Sequence, residues 1–456
     1  MPVNADALAE LGGVVLSTDP DVTAAYAHDE SRLTGRATPA AVLAPTSTDE
    51  VAASLRIASR EGWHVVPRGA GSGLSGAANG AGEFVVLSTH RMTSILSIDP
   101  VERLAVVQPG VITGDLRAAV AEQGLFYPPD PGSVAFSSIG GNVATNAGGM
   151  CCVKYGVTGD FVLGLEAVLA DGRVMRTGRR TAKGVAGYDL THLFVGSEGT
   201  LGVITEITVR LLPAPRPPLT MVATFGSLAD AGQAVAAITA AGTPVSMLEI
   251  MDRTTLEAVD RLSRMGFEPE TAAMLLVQSV EPDSVGVLAT VEKLCVDAGA
   301  VDVAVGDDPE EGAQLLEARR LALPALEQLG DWLLDDVCVP RGRIVRLIEL
   351  IEDVAADEGL TIGVFGHAGD GNMHPTIIFD DADPVSRESA LRAFDRITEH
   401  ALALGGTITG EHGVGRLKRS WLARELDETA MAVQRSVRLA LDPDGVLNPG
   451  NLFDPA

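Results

Sequence analysis

Two of the chain's eight histidines stand close together in the segment His367–His374, which is rich in glycine and aspartate. These residue types disfavour a helix, so we expect a loop to bring the two imidazole rings together. Glu411 and His412 follow later in the chain, flanked by Gly410 and Gly413. Two imidazoles and one carboxylate form a common ligand set for a catalytic divalent metal such as Zn, Mn or Fe. The alternative is a polar loop in which these side chains only satisfy hydrogen bonds.

Three further side chains are candidates for acid–base chemistry and substrate binding. Neighbouring residues on an extended backbone point to opposite sides, so Glu411 can face a metal while His412 faces a substrate. A histidine side chain can accept a proton near neutral pH, so His412 is a candidate base. Arg319 and Arg320 lie on a predicted helix. One of them is a candidate for gripping a carboxylate, which the planar guanidinium group favours, and the other is expected to be a solvated surface charge.

A glycine-rich segment, Pro67–Gly76, follows directly after the apolar run Trp63–Val66. Glycine has no Cβ, so such a loop can place its backbone N–H groups around a phosphate. A Walker A loop is disfavoured because no Lys-Ser or Lys-Thr pair follows. A Rossmann loop is disfavoured because the glycines do not open a helix and no acidic residue follows at the required distance. A plain glycine-rich turn is the remaining alternative.

Two more segments of small and polar residues follow, Ser137–Gly149 and Leu193–Thr205. Apolar residues alternate with the small ones in the first of these segments, which argues against a disordered, low-complexity stretch. A backbone of small residues suits close contact with a flat, extended ligand. Three such segments exceed what one mononucleotide requires, so the sequence favours a larger coenzyme.

Composition indicates a folded chain of more than one domain, since it has 456 residues and 46% of them are hydrophobic. The net charge of −27 argues against nucleic acid and anionic lipid as partners, and an anionic substrate would need locally placed Arg or Lys. We expect a cytoplasmic protein, because we find neither an apolar run of about 18 residues nor a signal peptide. The four cysteines lack CxxC spacing and are expected to be reduced thiols.

The order of predicted elements indicates two main domains. Strands and helices alternate in the first part, and one helix begins at a capping box, Ser47–Glu50, and ends at Gly62. The proline-rich segment 213–218 is a predicted linker. Beyond it a β-α-β order occurs twice, which is typical of a ferredoxin-like antiparallel sheet. Predicted helices over 311–329 and 341–358 follow, and the last helix covers about 428–441.

Together these residues resemble the flavin-linked 2-hydroxyacid dehydrogenases of the vanillyl-alcohol-oxidase/PCMH superfamily. The similar branch contains the glycolate oxidase D subunit and the D-lactate and D-2-hydroxyglutarate dehydrogenases. The resemblance runs from about residue 38 to Phe453. The motifs that carry it are Pro67–Gly76, Tyr127–Ser133, Ile139–Gly149, Lys154–Gly156, Gly187–Leu190, Gly196–Thr205, His367–Pro375, Gly410–Gly415 and Leu447–Gly450.

The resemblance implies an α+β fold with two main domains. After an N-terminal helical segment, residues 1–37, a PCMH-type FAD-binding domain would cover 38–213. A C-terminal substrate or cap domain with a ferredoxin-like antiparallel sheet would cover 219–456, and its tail 442–453 would return to the flavin.

The resemblance also assigns roles to individual residues. The residues that would bind FAD are Pro67, Arg68, Gly69, Ala70, Gly71, Ser72, Gly73, Leu74 and Ser75 at the pyrophosphate; Pro131, Gly132, Ser133, Gly140, Gly141, Asn142, Thr145 and Gly148 at the ribitol and ring system; Glu198, Gly202, Val203 and Ile204 at the adenosine end; and Asn448 near the flavin. His367, His374 and Glu411 match the metal ligands of the family. His412 matches its active-site base, and Arg319 matches the arginine that grips the substrate carboxylate.

The implied reaction is oxidation of a small (R)-2-hydroxy acid, glycolate or D-lactate, with hydride transfer to flavin N5 and metal-assisted activation of the hydroxyl group. Residues 67–77 contain no histidine, so we expect non-covalent FAD. Hydroxyglutarate-oxidising members carry a lysine where this chain has Leu334 and Asp335, which favours a smaller substrate. The alternatives are a D-2-hydroxyglutarate dehydrogenase, a metallohydrolase using the His/His/Glu set, a nucleotide-binding module and a carbohydrate oxidase.

The chain has no cysteine cluster for an iron–sulfur centre and no CxxCH haem motif. Electrons must therefore leave to oxygen, a quinone, an electron-transfer flavoprotein or an iron–sulfur partner subunit. The resemblance allows a homodimer or a heteromeric complex, and partner subunits could hold the protein at the inner face of a membrane.

Overall fold

Two sets of chain segments build separate cores in the computed structural model of the protein, which describes residues 3–31, 34, 37–306 and 309–453. The first unit consists of Met1–Gly148, Val157–Ala214 and Glu411–Ala456. The second unit consists of Gly149–Gly156 and Pro215–Gly410. Within the predicted N-terminal segment 1–37, positions 1, 2, 32, 33, 35 and 36 lie outside the described residues.

The elements are numbered along the whole chain. The strands are β1 (Val15–Ser17), β2 (Ala41–Leu43), β3 (Val65–Arg68), β4 (Val85–Ser88), β5 (Ile95–Asp99), β6 (Leu104–Val107), β7 (Leu125–Phe126), β8 (Val162–Val168), β9 (Val174–Gly178), β10 (Val203–Arg210), β11 (Leu212–Pro213), β12 (Leu219–Phe225), β13 (Met247–Asp252), β14 (Ala273–Ser279), β15 (Ala300–Val305), β16 (Asp331–Leu334), β17 (Val337–Cys338), β18 (Thr361–His367) and β19 (Asn372–Phe379). The α-helices are α1 (Ala5–Leu11), α2 (Pro20–Thr23), α3 (Thr48–Glu61), α4 (Thr113–Ala121), α5 (Ile139–Thr145), α6 (Cys152–Tyr155), α7 (Leu190–Phe194), α8 (Leu228–Ala240), α9 (Arg253–Ser263), α10 (Ser284–Asp297), α11 (Pro309–Arg320), α12 (Ala322–Glu327), α13 (Ile344–Glu358), α14 (Pro384–Ala403), α15 (Arg419–Glu425) and α16 (Glu428–Leu441). Short 3-10 turns span Gly12–Val14, Ala24–Tyr26, Thr158–Phe161 and Arg341–Arg343.

The first unit contains two larger sheets. One has the strand order β1-β2-β4-β3, in which β2, β3 and β4 are parallel and β1 is antiparallel to β2. The other is antiparallel, with the order β5-β6-β10-β8-β9. Strands β7 and β11 form a separate antiparallel pair. All of β2 and β4 is buried, and this explains why strands such as Val85–Ser88 are almost continuously apolar.

Helix α3 shows how the local sequence sets an element of this unit. The Ser47 hydroxyl accepts a hydrogen bond from the Glu50 N–H, and the helix ends at Gly62 in the left-handed conformation. Its buried side chains, including Val51 and Leu55, join the core formed with β2, β3 and β4. Burying one such side chain contributes roughly 1.5–3 kcal/mol. The prediction of a helix between Ser47 and Gly62 is confirmed.

Helix α5 differs from the expectation for the segment Ser137–Gly149. Ile139–Thr145 is helical, and the Ser138 hydroxyl caps it by accepting from the Gly141 N–H. Glycine costs about 1 kcal/mol relative to alanine inside a helix, so the glycine-rich sequence did not predict one. The structure explains one of these glycines, because a Cβ on Gly140 would overlap with Pro109.

The second unit is built on one antiparallel sheet with the path β15-β12-β14-β13-β18-β19-β16, and β17 pairs with β19. The part β15-β12-β14-β13 has the strand order of a ferredoxin-like sheet, with α8, α9 and α10 as its connections. The predicted antiparallel sheet is confirmed. It also continues beyond the ferredoxin-like part through β18 and β19, which the repeated β-α-β pattern did not predict.

Strands β18 and β19 form a tight hairpin that carries the two histidines of the segment His367–His374. His367 is the last residue of β18, and His374 lies near the start of β19. The turn between the strands requires Gly371, whose φ is +86° and whose Cβ position would overlap with the carbonyl oxygen of Val339. The predicted loop between the histidines is therefore only a short turn, and both histidines lie on strands.

The segment Glu411–Ala456 groups with the first unit, and the C-terminal domain predicted over 219–456 stays a prediction. Val446 and Leu447 are buried in the core of the first unit. The Asn448 N–H donates to the Val65 carbonyl at 2.8 Å, beside the parallel bridge between Val65 and Leu447. In the part of the chain that the structure describes, we find no helix long and apolar enough to span a membrane.

Candidate functional site

The glycine-rich loop of the first unit begins where β3 ends. Gly71 has φ +79° and Gly76 has φ +79°, which explains glycine at these two positions. Among the described residues, no oxygen accepts a hydrogen bond from the backbone N–H groups of Gly71–Gly76. Backbone donors that lack acceptors are costly in a partly buried loop, and a run of them fits an anionic group such as a phosphate.

Ser138 connects this loop to the second glycine-rich segment. Its hydroxyl oxygen lies 3.3 Å from the N–H groups of Ala70 and of Gly141, so it accepts from both. A Cβ on Gly69 would overlap with the same hydroxyl. The structure therefore brings the predicted pyrophosphate loop next to the start of α5.

Several of the predicted FAD-binding side chains are engaged inside the protein. The Asn142 amide donates to the Thr113 hydroxyl at 2.8 Å, and the Thr145 hydroxyl donates to the Gly141 carbonyl at 3.3 Å. Pro131 and Ser133 accept backbone hydrogen bonds in the turns before α5. These hydrogen bonds, made by the side chains of Asn142 and Thr145 and by the backbone carbonyls of Pro131 and Ser133, shape the backbone of the segment.

Glu198 lies in the third segment, and its carboxylate holds the end of the chain. It accepts hydrogen bonds from the backbone N–H groups of Val414, at 2.7 Å, and Gly415, at 2.9 Å. The Asn451 amide donates to it at 2.9 Å. Burial raises the pKa of Glu198 to about 7, although these three donors act in the opposite direction. The prediction that Glu198 lies at the adenosine end of FAD stays a prediction, and in the structure its carboxylate accepts these three hydrogen bonds from the protein.

Asn448 completes this arrangement. Its amide donates to the carbonyl groups of Ala77 at 2.8 Å and Glu198 at 2.9 Å, which ties the tail to two of the glycine-rich segments. Gly202, Val203 and Ile204 lead into and begin β10, where Val203 and Ile204 are buried. The buried side-chain oxygens of Ser75 (Oγ) and Asn448 (Oδ1) have no hydrogen-bond partner among the described residues, so polar capacity remains for a bound coenzyme.

In the second unit, Glu249 joins two of the residues singled out in the sequence. Its Oε2 accepts from Nε of Arg319 at 2.7 Å, and its Oε1 lies 2.7 Å from Nδ1 of His367. Glu249 is 1% exposed and Arg319 is 8% exposed. Burial alone would raise the pKa of Glu249, but His367 and Arg319 outweigh it and lower the pKa. Arg319 also stacks on Phe365, with 4.7 Å between the guanidinium carbon and the ring centroid.

The histidines of the hairpin face each other. The ring centroids of His367 and His374 are 5.0 Å apart, and the rings are nearly perpendicular. Both side chains are buried. Two buried imidazoles at this spacing fit a metal such as Zn, Mn or Fe(II), because each ring offers a nitrogen donor.

A second buried carboxylate, Asp336, lies beside His374 with 3.7 Å between Oδ1 and the ring Nδ1. Asn372 donates to Oδ1 at 2.7 Å, and Oδ2 accepts from the Thr409 hydroxyl at 2.7 Å and the Gly410 N–H at 2.9 Å. Asp336 therefore holds both the start of β19 and the last residues of the second unit.

Glu411 and His412 lie in the first unit, in a bend rather than a strand. Their side chains do not diverge as strand alternation would require, since His412 Nε2 is 3.6 Å from Glu411 Oε1. A Cβ on Gly148 would overlap with the Glu411 carboxylate, which explains a glycine there.

Sequence reasoning did not single out Glu249 and Asp336. Glu249 is the only charged residue inside the apolar run Val245–Met251, and a lone carboxylate in a buried strand is costly without a partner. That pattern could have indicated a site residue. Asp336 follows a short apolar strand, β16, and gave a weaker signal, because acidic residues are common in turns.

Comparisons with known proteins match both main parts of the chain. The family "FAD linked oxidases, C-terminal domain" matches residues 214–452, and the family "FAD binding domain" matches residues 39–178. Glycolate oxidase subunit GlcD from Bacillus subtilis is 44% identical over 422 residues, which cover 91% of this chain and 89% of that protein. D-lactate dehydrogenase from Anaerostipes hadrus is 34% identical over 439 residues, which cover 94% of this chain and 92% of that protein.

Comparison with solved structures supports the same fold. The solved structure of p-cresol methylhydroxylase matches with a TM-score of 0.79 at 18% identity, over 100% of this chain and 99% of that chain. The predicted family resemblance is confirmed, and so is the α+β fold with a PCMH-type FAD-binding domain. The chain belongs to the family of FAD-linked oxidases and is a FAD-dependent oxidoreductase.

Proposed function

We propose that this protein is a FAD-dependent dehydrogenase that oxidises a small (R)-2-hydroxy acid, glycolate or D-lactate, to the 2-oxo acid. The observation that carries the proposal is the buried contact chain from Arg319 through Glu249 to His367. Through these contacts the Arg319 guanidinium, which can bind a carboxylate, lies close to the imidazole pair of His367 and His374, which can hold a metal. Relatives named glycolate oxidase subunit and D-lactate dehydrogenase support the same substrate class.

Arg319 is the proposed carboxylate-binding residue. Its Nε is engaged by Glu249, and no oxygen among the described residues accepts from the two terminal nitrogens, Nη1 and Nη2. A buried guanidinium with unused donors favours an anion, and the two terminal nitrogens match the two oxygens of a carboxylate. The face-on contact between Arg319 and Phe365 restricts the plane in which the guanidinium can pair with a carboxylate.

The proposed metal ligands are His367, His374 and Glu411. The pairing of Glu249 with Nδ1 of His367 directs Nε2 to the opposite side of the ring, which is the usual arrangement of a metal-binding histidine. Glu411 is the residue directly after Gly410, whose N–H is held by Asp336. A divalent ion in this ligand set would bind the substrate hydroxyl and lower its pKa.

FAD is held in this proposal by the loop Pro67–Ser75 at the pyrophosphate, by the backbone of the segment around Gly140 and Gly141, and by the tail around Asn448. The backbone donors of Gly71–Gly76 would bind the negative charge of the pyrophosphate, and FAD would supply the hydride-accepting chemistry. We expect no covalent link to histidine, because the loop contains none.

His412 is the proposed base. A ring nitrogen of His412 accepts the hydroxyl proton, and the adjacent Glu411 carboxylate stabilises the imidazolium that forms, since Oε1 lies 3.6 Å from Nε2. Arg319 keeps the substrate carboxylate fixed while the proton is transferred.

A small substrate is favoured over 2-hydroxyglutarate. The positions Leu334 and Asp335 supply no cation for a second carboxylate, and both side chains are buried. Asp335 is already engaged by the Asp336 N–H at 2.8 Å and the Thr398 hydroxyl at 3.3 Å. We further propose that electrons leave to a partner subunit, a quinone or an electron-transfer flavoprotein, and that such a subunit can hold the enzyme at a membrane.

Anaerobic reduction of the purified protein tests the substrate class directly. D-lactate and glycolate should bleach the flavin absorbance near 450 nm, whereas L-lactate, D-2-hydroxyglutarate and glucose should bleach it far more slowly. Fast bleaching by D-2-hydroxyglutarate or by glucose would replace the proposed substrate with that one. A flavin that none of these compounds reduces would contradict hydroxy-acid oxidation.

Metal removal tests the proposed ligand set separately. Dialysis against a chelator should abolish bleaching by D-lactate while the protein keeps its yellow colour, and Zn or Mn should restore the reaction. A dialysed protein that contains no metal and still reacts at the original rate would reduce His367, His374 and Glu411 to structural residues.

A further inference from the structure

We propose that Glu249 is a positioning residue that sets the spacing between the Arg319 guanidinium and the His367 imidazole. This spacing selects substrates in which the hydroxyl group is on the carbon next to the carboxylate. The inference rests on the proposed function, because it assigns the carboxylate to Arg319 and the hydroxyl to a metal held by His367.

The backbone fixes Glu249 opposite His367. Strand β13 pairs with β18 through Ile250 with Gly366 and Met251 with Phe365. Continuing that antiparallel register by one residue brings Glu249 opposite His367. Both strands lie inside the sheet, with β14 beyond β13 and β19 beyond β18, so the position of Glu249 is set by hydrogen-bonded backbone on both sides.

One carboxylate serves both neighbours. Both Glu249 oxygens lie within 2.9 Å of Nδ1 of His367, and Oε2 also accepts from Nε of Arg319 at 2.7 Å. A shift of the carboxylate therefore moves the arginine and the histidine together. Because Glu249 is 1% exposed, water cannot take over either hydrogen bond.

The arginine has little freedom to find another position. Phe365 covers one face of the guanidinium at 4.7 Å, and Glu249 holds its Nε edge. No oxygen among the described residues accepts from Nη1 or Nη2, which leaves the end of the guanidinium for an anion. The distance from that end to the metal-binding side of His367 is fixed by three side chains, Glu249, Arg319 and Phe365.

The closing experiment compares Glu249→Asp and Glu249→Gln with the wild type and with Glu281→Gln. Aspartate keeps the charge but shortens the side chain by one methylene, and glutamine keeps the length but loses the charge. Glu281 is a matched control, because its carboxylate pairs with Lys154 in the same unit without contacting the proposed site. FAD content and circular dichroism establish that each variant is folded.

Two readouts separate positioning from a purely structural role. The first is the chelator concentration that removes half of the bound metal, which should fall about tenfold in both Glu249 variants. The second is the ratio of kcat/KM for D-lactate to that for D-3-hydroxybutyrate, whose hydroxyl is one carbon further from the carboxylate. That ratio should fall about tenfold in Glu249→Asp, with most of the loss in KM. Glu281→Gln should match the wild type in both.

The variant Arg319→Lys covers the case in which the Glu249 variants do not fold. Lysine cannot reproduce the hydrogen bond from Nε of Arg319 to Glu249, so the position of the Glu249 carboxylate changes although no proposed metal ligand is altered. We expect metal to be released at a severalfold lower chelator concentration. The inference would be overturned if Arg319→Lys retained metal as well as the wild type does. It would also be overturned if folded Glu249 variants showed unchanged metal retention and an unchanged substrate ratio.

The wild type distinguishes this failure from a failure of the proposed function. A wild-type enzyme that oxidises D-lactate with a bound metal, accompanied by unaffected Glu249 variants, contradicts the positioning role alone. A wild-type protein that holds no metal and oxidises no 2-hydroxy acid contradicts the proposed function and removes the inference with it.

Discussion

At the scale of single residues, the replacement His412→Ala tests the proposed base. We expect kcat for D-lactate to fall at least about 100-fold, because the hydroxyl proton loses its acceptor in the transition state. FAD content should stay at the wild-type level. Stopped-flow bleaching of the flavin measures the step directly, and His64→Ala, at an exposed position in the same unit, is the control. Turnover near the wild-type rate with FAD bound would remove His412 from the role.

Glu198 predicts a pH dependence of stability in the first unit. Its pKa is raised from 4.5 to about 7 in the folded protein, so the folded state holds a proton that the unfolded state has lost between these values. The free energy of unfolding should therefore fall as pH rises from about 5 to about 7.5, by up to roughly 3 kcal/mol. Glutamine cannot titrate, so Glu198→Gln should lose this part of the decline.

Thermal unfolding of both proteins with saturating FAD over that pH range measures the difference. Glu122→Gln, at an exposed position, is the control and should behave like the wild type. Parallel pH curves for the wild type and Glu198→Gln would show that the three donors to this carboxylate outweigh its burial.

At the scale of elements, the β18–β19 hairpin should depend on Gly371. A Cβ there would overlap with the Val339 carbonyl oxygen, in addition to the cost of a positive φ. Gly359 is a matched control, since its φ is +67° and no atom lies within 4 Å of its Cβ position. Gly359→Ala should cost only about 1 kcal/mol of stability and keep the metal.

Gly371→Ala should cost more than the control and release metal at a lower chelator concentration, because the turn sets the spacing of His367 and His374. FAD content should be unaffected, since the glycine-rich loops belong to the first unit. Thermal unfolding and metal analysis measure both effects. Equal stability and equal metal retention in the two variants would show that the hairpin tolerates a wider turn.

The elements that could be predicted from the sequence are those with a strong local signal. The cap at Ser47, the glycine at the end of α3 and the β-α-β order of the second unit each have a direct physical cause in a few neighbouring residues. Helix α5 was missed because glycine disfavours helices, while its stability comes from the Ser138 cap and the close packing of Gly140 on Pro109.

The sequence singles out candidate residues of the site but not the contacts that connect them. Glycine content and the two clustered histidines indicate a coenzyme loop and a metal site. Glu249 connects two of these residues across a long stretch of chain, and only the pairing of β13 with β18 reveals it. The same limit applies to the hydrogen bonds of Glu198, because their donors Val414 and Asn451 lie far along the sequence.

At the scale of the whole molecule, the net charge of −27 should slow the approach of an anionic substrate. Added salt shortens the Debye length to about 10 Å at 0.1 M and screens this repulsion. We expect kcat/KM for lactate to rise about two- to threefold between low and moderate ionic strength, with kcat unchanged. Steady-state kinetics in buffers that differ only in NaCl measure this. A kcat/KM that falls with salt would show that local cations such as Arg319 dominate the approach.

Among the described residues, the hydrogen-bond donors to the Glu198 carboxylate are Val414, Gly415 and Asn451, which lie more than 200 positions later in the sequence. While the ribosome is still translating the second unit, neither these donors nor the Leu447 partner of Val65 has been synthesised. The first unit can therefore complete this arrangement only after the ribosome has passed Asn451, so the intervening second unit has the earlier opportunity to fold.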